Sequence, residues 1–257
     1  MQRNGSELIC NDRMTPRYVC GGLGDFLLSL ESAIGDGIID VFSHFANAEE
    51  FYRPFGVTVN RFKYFSSLNE FWSMRIKSEA LPRTKYPKFS LPAALIEPPD
   101  DKDVLGIHIE GSSFSNDASR QSGRPIKDMS QEFLGKLIGA LNAKQAFPYV
   151  FCSPARRVEI DALFKKNYTR AFRVIAFDDI WGSLACVAHC HKVLATDSAI
   201  KTMAAILRIP SIVLVGDYPD PFRDEVFLKP YVSDGVMHLV KFTDIDALNP
   251  WEIVASL

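Results

Sequence analysis

Apolar residues follow two patterns along this chain: short continuous runs and longer stretches with helical spacing. Runs of four to eight residues, typical of strands in a buried sheet, lie at 17–20, 37–42, 57–64, 104–109, 149–152, 173–177, 192–196, 212–215 and 236–242. Apolar residues every three or four positions, typical of amphipathic helices, mark 26–34, 46–55, 68–76, 131–141, 156–166, 181–188, 200–207 and 245–257. Strands alternating with helices predict an α/β fold with parallel sheets.

A change in composition divides this pattern in two. Residues 80–103 contain Pro82, Pro87, Pro92, Pro98 and Pro99 among several charged residues, which is typical of a linker. We therefore expect two Rossmann-like domains that face a cleft. The expected divisions are a flexible extension at 1–16, an N-terminal domain at 17–98, a C-terminal domain at 99–243 and a closing helix at 244–257. Residues 110–123, rich in Gly, Ser, Asn and Asp, are expected to form a loop.

The clearest βαβ unit is the stretch from Lys192 to Phe222, which contains a turn suited to an anion. Asp197 and Ser198 are good N-cap residues at the point where the helix should begin, and Pro210 lies just past its end. Such a turn places unpaired backbone N–H groups and the positive end of a helix dipole at one spot. We expect a phosphate group to bind there.

A second turn of this kind follows the first predicted strand. Gly21-Gly22-Leu23-Gly24-Asp25 lies between the strand and the helix at 26–34, so Gly22 and Gly24 are candidates for a phosphate or acceptor loop. A Gly-rich run alone is a weak signal, since many are only tight turns. Asp25 has two readings from the residues alone: a functional carboxylate, or the cap of the helix that follows it.

Composition narrows the class of protein. A hydrophobic content of 47% with 23% charged residues is typical of a soluble protein, and a net charge of −2 disfavours a general nucleic-acid or membrane-surface binder without excluding a local basic groove. No apolar run approaches the roughly 20 residues needed to cross a bilayer. The first residues contain no apolar signal-peptide core, and five cysteines are an odd number, which favours reduced thiols in a cytoplasm.

One cluster could bind a metal. Cys186, His189 and Cys190 have the spacing of residues on one helix face. Zinc sites usually add a second ligand pair from a distant segment, and none is apparent here. We therefore expect packing of small thiols at a helix end rather than a metal site.

The phosphate turn carries a resemblance to a known family. Asp197-Ser198-Ala199-Ile200, followed by Ala204-Ala205 and Pro210, resembles the donor-binding segment of the heptosyltransferase-like glycosyltransferases of family 9. That family has an Asp-Ser/Thr-Gly turn, a His on the next helical turn, Ala-Ala and a Pro. This chain departs from the pattern at Ala199, where Gly is usual, and at Thr202, where the His is usual.

Three further segments extend the resemblance. The Lys of the family's Lys-x-Trp-Pro motif aligns with Lys127, although Met129-Ser130 replaces Trp-Pro, and Ser153-Pro154 matches the end of a Gly-Ser-Pro turn. Arg120 and Arg124 are rival candidates for the task of Lys127. The segment 17–35 is a shorter match. The resemblance covers about 104–222 and 17–35, and the chain is shorter than a typical member, mostly in its acceptor half.

The resemblance implies a fold and a reaction. The fold is the GT-B type, in which the C-terminal half binds a nucleotide-diphosphate sugar and a here shortened N-terminal half binds the acceptor. The reaction is inverting sugar transfer to a hydroxyl, with no cofactor or metal, in cell-envelope or lipopolysaccharide-type glycan synthesis. Asp25 takes the role of general base. The residues implied in donor binding are Lys127, Ser153, Asp197, Ser198, Ala199 and Thr202.

Two alternatives remain open from the sequence. The same catalyst could act on a nucleic-acid or protein acceptor, although the net charge disfavours DNA. The chain could also be a non-catalytic nucleotide-sugar binder, a reading that the departures at Ala199 and Thr202 favour. The presence of Asp25 disfavours the non-catalytic binder, because a protein that only binds a nucleotide sugar does not need that carboxylate.

Overall fold

The structure is a computed structural model that describes residues 18–77, 88–99, 103–124, 126–219 and 228–257. The extension predicted at 1–16 and much of the predicted linker lie outside the described residues. Residues 88–99, which belong to that linker, contain no regular helix or strand.

The first sheet comes from the N-terminal part of the chain. Its parallel strands are β1 (Tyr18–Gly21), β2 (Ile38–Ser43) and β3 (Thr58–Tyr64), in the order β1-β2-β3. The helices are α1 (Leu23–Asp36), α2 (Ala48–Tyr52) and α3 (Leu68–Lys77), and a 3₁₀ turn at Arg53–Phe55 extends α2. β3 is largely exposed, as expected of an edge strand.

The second sheet has six parallel strands, in the order β6-β5-β4-β7-β8-β9. The strands are β4 (Val104–His108), β5 (Phe147–Phe151), β6 (Arg173–Ile175), β7 (Lys192–Thr196), β8 (Ser211–Gly216) and β9 (Met237–Phe242). The helices are α4 (Ser113–Ser122), α5 (Gln131–Lys144), α6 (Arg157–Asn167), α7 (Ile180–Ala185), α8 (Ala199–Ile206), α9 (Lys229–Ser233) and α10 (Pro250–Ser256). The prediction of an α/β fold with parallel sheets is confirmed.

The strand order of the second sheet determines where a ligand can bind. From β4 the chain builds outward through β5 to β6, then returns to the other side of β4 and builds through β7 to β9. The loops after β4 and β7 therefore leave the sheet in opposite directions. In open parallel sheets the crevice at such a switch point, beyond the carboxyl ends of the strands, is where ligands bind.

One hydrophobic cluster is continuous over the two sheets. It joins Phe26 of α1 and Phe51 of α2 to Trp181 of α7 and Met203 of α8. The rings of Phe51 and Trp181 stack at 4.8 Å, and the Trp181 indole N–H donates to the Phe51 carbonyl at 2.7 Å. The first sheet and its helices are thus packed directly against the helices of the second.

The structure corrects several expected boundaries. The stretch 110–123, expected to be a loop, contains helix α4, whose Asn116 and Ser119 are buried. The closing stretch 245–257 is not one helix: it is a 3₁₀ turn at Ile245–Ala247 followed by α10, which begins at Pro250 with Asn249 as its N-cap. α1 begins at Leu23 rather than at residue 26, so Gly24 and Asp25 lie within its first turn instead of in a loop.

None of the helices in the described part of the chain is both long enough and apolar enough to span a membrane.

Candidate functional site

A pocket of about 960 Å³ lies where the carboxyl ends of strands from both sheets meet. All nine residues predicted to belong to the site line it. They are Gly22, Gly24, Asp25, Lys127, Ser153, Asp197, Ser198, Ala199 and Thr202. The structure therefore brings together residues from four separate segments of the chain, and it places them at the switch point of the second sheet.

Asp25 caps helix α1 and also faces the pocket. Its Oδ2 accepts a hydrogen bond from the Gly22 N–H at 2.9 Å, so Asp25 caps the helix from within its first turn rather than from the position before the helix. Gly21 makes this arrangement possible: its φ is +147°, and a Cβ added there would lie 2.1 Å from Asp25 Oδ2. The strand end, the turn and the carboxylate thus form one compact unit on the pocket wall.

His44 lies beside this unit, directly after strand β2. A Cβ on Gly22 would be 3.3 Å from His44 Cε1, so the imidazole rests against the glycine backbone. Its ring also packs on Phe65 and Phe71. Burial lowers the pKa of His44, and the Asp25 carboxylate offsets this only in part, which leaves the imidazole neutral near pH 7.

The opposite wall is cationic and is organised by Asp197, at the turn after β7. Its Oδ2 accepts from Lys127 Nζ at 2.9 Å, and its Oδ1 accepts from Lys201 Nζ at 2.7 Å. Burial by itself raises the pKa of Asp197, but the two ammonium groups outweigh that effect and hold the pKa well below its usual range. Two positive charges and one negative charge leave a net positive site that spans the switch point.

The loop after α4 holds Lys127 in place. Asp128 Oδ1 accepts from the Gly111 N–H at 2.8 Å and from Asn116 Nδ2 at 2.7 Å, and the Lys127 N–H donates to Asn116 Oδ1 at 3.0 Å. A Cβ on Gly111 would come within 2.6 Å of Lys127 Cβ. These contacts fix the lysine backbone beside strand β4, so its ammonium group can reach Asp197.

Helix α8 points its N-terminus into the pocket. Ser198 is its N-cap residue, but contrary to the sequence expectation its side chain makes no capping hydrogen bond. The Ser198 Oγ is buried and has no hydrogen-bond partner among the described residues. Since such a hydroxyl is costly to leave unsatisfied, it is a candidate to bind a ligand, together with the amide of Ala199 at the positive end of the helix.

Thr202 and Gly24 meet where α8 crosses α1. Thr202 is 4% exposed, and its hydroxyl donates to the Ser198 carbonyl at 3.4 Å. A Cβ on Gly24 would lie 3.2 Å from Thr202 Oγ1 and 3.8 Å from Ala199 Cα. Gly24 therefore allows the N-terminal turns of two helices to approach closely, and both helix dipoles point toward the pocket.

Between these walls, the floor of the pocket is formed by polar side chains that hydrogen-bond to their neighbours. The buried Glu110 accepts from the Ser153 N–H and pairs with Arg156 at 3.5 Å. Thr196 Oγ1 donates to the Glu110 carbonyl at 3.1 Å and lies 3.3 Å from His108 Nδ1. Burial lowers the pKa of His108 to about 3, so this imidazole is neutral.

The two arginines considered as rivals of Lys127 occupy different places. Arg124 lines the pocket, and its guanidinium lies over the ring of Tyr218 at 4.5 Å. Arg120 pairs with Asp117 at 2.7 Å on the exposed side of α4. Arg124 is thus a third cation of the pocket.

Cys152 and Cys186 are held as protonated thiols. Burial raises the pKa of Cys152, which lines the pocket, to about 12, and that of Cys186 to about 11. Protonated thiols are neither good nucleophiles nor good metal ligands. Cys186–His189 forms a 3₁₀ turn, so the shared α-helical face inferred from spacing does not form. Among the described residues, no group of three or more His, Cys, Asp and Glu side chains is placed to hold a metal ion.

Sequence reasoning missed several residues of the pocket, namely His44, His108, Glu110 and Lys201. Two of them could have been inferred from the sequence. His44 directly follows a predicted strand, and Lys201 stands four residues after Asp197, which is the spacing of an ion pair on one helical turn. His108 and Glu110 lie at a strand end, where only the fold shows which way a side chain faces.

Comparison with known proteins gives structural matches only. No protein-family model matches the chain, and no curated protein sequence matches it significantly. Similar solved structures include a family 9 glycosyltransferase from Veillonella parvula, 13% identical with a TM-score of 0.49 over 88% of this chain and 68% of that chain. Another is the E. coli ADP-heptose LPS heptosyltransferase II, 13% identical with a TM-score of 0.49 over 95% of this chain and 75% of that one.

A third match is the E. coli heptosyltransferase WaaC with ADP, 12% identical with a TM-score of 0.45 over 88% of this chain and 74% of that one. All three belong to the group of enzymes that residues 17–35 and 104–222 resemble. Because identities and TM-scores are low, the function proposed below rests on the geometry of the pocket.

Proposed function

We propose that this chain is a glycosyltransferase that moves a sugar from a nucleoside-diphosphate donor to a hydroxyl group of an acceptor. One observation carries the proposal: a single pocket has the Asp25 carboxylate on one wall and the Lys127–Asp197–Lys201 cluster on the other. A base facing a cationic site is what transfer away from a diphosphate requires.

The cationic wall is the proposed donor site. The positive charges of Lys127 and Arg124 would bind the diphosphate. The Ser198 hydroxyl and the first amides of α8 would donate hydrogen bonds to it. Asp197 contributes indirectly. Both of its carboxylate oxygens accept from lysines, so it positions Lys127 rather than binding phosphate itself. Lys201, only 8% exposed, balances the charge of Asp197 from within α8.

The chemistry is a single displacement. Asp25 accepts the proton of the acceptor hydroxyl while that oxygen forms a bond to the anomeric carbon of the sugar. The bond from this carbon to the diphosphate oxygen breaks on the opposite face, and its electron pair leaves with the diphosphate. Lys127, Arg124 and the helix amides stabilise the growing negative charge, so we assign no metal to the step. The sugar is thereby joined to the acceptor, and the configuration at its anomeric carbon is inverted.

We further propose that the two sheets correspond to the two halves of a GT-B enzyme. Residues 17–98, with three strands, would form a shortened acceptor half, and residues 99–243, with six, would form the donor half. The sequence resemblance favours a cell-envelope glycan of the lipopolysaccharide type as acceptor.

Replacement of Asp25 tests the catalytic assignment. Asp25→Asn retains an oxygen that can cap α1 but is not a base, so it should lower release of nucleoside diphosphate from a nucleotide sugar by about 10²- to 10⁴-fold. Nucleotide binding, measured by calorimetry, should be unchanged. Asp36→Asn, at the far end of the same helix, is the matched control and should behave as wild type.

The outcomes separate the candidate functions. Retained turnover in Asp25→Asn would remove the base assignment. If nucleotides bind but neither wild type nor variant transfers sugar, the non-catalytic binder is the correct reading.

A further inference from the structure

The two walls of the pocket differ in charge. The donor wall carries the cations Arg124, Lys127 and Lys201. The wall formed by residues 21–72 presents, among its described lining residues, no lysine or arginine. Its polar groups are Asp25, His44 and Asn47.

This charge pattern disfavours a negatively charged acceptor. A phosphate or carboxylate held next to Asp25 would face a like charge, and none of the described lining residues of this wall supplies a lysine or arginine to offset it. Burial lowers the pKa of the adjacent His44, so its imidazole is neutral near pH 7. Nucleic-acid strands are disfavoured for the same reason, because binding of their backbone depends on Lys and Arg. An uncharged acceptor suits this wall.

The same wall presents an aromatic platform. Trp72, on α3, lines the pocket with 43% of its surface exposed. Its indole is supported from behind by Phe71, with ring centroids 5.0 Å apart, and Phe71 packs in turn on the fully buried Phe65 at 5.1 Å. A large exposed ring on a rigid base is typical of a binding surface.

The face of an indole ring is a good partner for a sugar. The C–H face of a pyranose is apolar and flat, so it can stack on the ring while the hydroxyl groups at its edge remain free. Asn47 can hydrogen-bond one such hydroxyl and Asp25 another. Stacking fixes the plane of the sugar, and this is the positioning that attack by one particular hydroxyl requires.

We infer that the acceptor is an uncharged sugar residue that stacks on Trp72 and offers a hydroxyl to Asp25. This inference rests on the proposed function and narrows it, since it selects a neutral position of a glycan over phosphorylated or acidic sugars.

Saturation-transfer NMR can measure this binding directly. The probes are the neutral methyl glucoside, galactoside and mannoside, with methyl glucuronide and glucose 6-phosphate as charged counterparts. We expect at least one neutral glycoside to show transfer to its ring protons. Affinity should fall tenfold or more in Trp72→Ala and be partly kept in Trp72→Phe. Trp251→Ala replaces a tryptophan that is 54% exposed and outside the pocket, and it should bind as wild type.

Two results would overturn the inference: charged sugars that bind as well as neutral ones, or neutral binding that survives in Trp72→Ala. The same samples are also tested for thermal stabilisation by nucleoside diphosphates. If a nucleotide binds but none of the neutral glycosides does, the acceptor inference fails and the proposed function stands. If neither kind of ligand binds, the proposed function fails.

Discussion

At the scale of single residues, neighbouring groups determine which side chains of the pocket are charged. Asp197 remains ionised although it is nearly buried, because Lys127 and Lys201 each donate to one of its oxygens. His108 shows the opposite case. Among the described residues no opposite charge raises its pKa, so burial keeps the imidazole neutral.

His108 makes stability depend on pH in a defined direction. Its pKa is lowered from 6.5 in the unfolded chain to about 3, so the unfolded state binds a proton first as pH falls. The stability it contributes is complete above pH 6.5 and is lost progressively toward pH 3. The slope is about 1.4 kcal/mol per pH unit, or about 2 kcal/mol between pH 6.5 and pH 5.

Urea unfolding at pH 7 and at pH 5 measures this effect. His108→Gln should reduce the loss of stability between the two pH values by about 2 kcal/mol relative to wild type. His238→Gln, at an exposed position on β9, is the control and should leave the loss as in wild type. An equal loss in wild type and His108→Gln would show that other groups account for it.

At the scale of elements, the crossing of α1 and α8 brings Asp25 close to the N-terminal turn of α8. Their N-terminal turns meet at Gly24 and Thr202. A larger side chain at position 24 would push the helices apart. It would also separate Asp25 from the turn at Ser198.

Gly24→Val should therefore lower stability by about 2 kcal/mol through overpacking. For a chain of this size this corresponds to a fall in melting temperature of roughly 4–8 °C. Gly35→Ala, in the same helix, meets no atom within 4 Å and should be neutral or slightly stabilising. Thr202→Ala in the Gly24→Val background should recover part of the loss. Equal melting temperatures for Gly24→Val and Gly35→Ala would show that the close approach of α1 and α8 does not contribute to stability.

The elements also show what the sequence can and cannot predict. Strand β7 was predicted at its observed residues, 192–196, because an apolar run lay between clear turn signals. Helix α4 was missed because its Ser- and Asn-rich composition is typical of a loop. The contacts of Asn116 with Asp128 and Lys127 anchor it, and these are tertiary contacts.

The same limit applies to the site. Lys127 and Asp197 could be predicted from the motifs around them, whereas their ion pair joins residues 70 positions apart and required the fold. Trp72 belongs to the stretch 68–76, which the sequence predicts only as an amphipathic helix, since core packing and surface exposure give the same helical spacing. Its place on the pocket wall follows from the packing of α3.

At the scale of the whole molecule, the two sheets share a core and a pocket. The contact between Phe51 and Trp181 holds them together behind the pocket, and the ends of their strands converge in front. The proposed function requires that the cationic half of this pocket bind a nucleoside diphosphate.

A thermal-shift titration with ADP, GDP, UDP, CDP and TDP measures this binding. One nucleotide at 100 times its Kd should stabilise the protein by about 2.7 kcal/mol, a rise in melting temperature of roughly 5–10 °C. Lys127→Ala should abolish most of the shift. Lys136→Ala, which replaces an exposed lysine of α5, should preserve it. No shift with any nucleotide, or an equal shift in Lys127→Ala, would show that the cationic wall is not a nucleotide site.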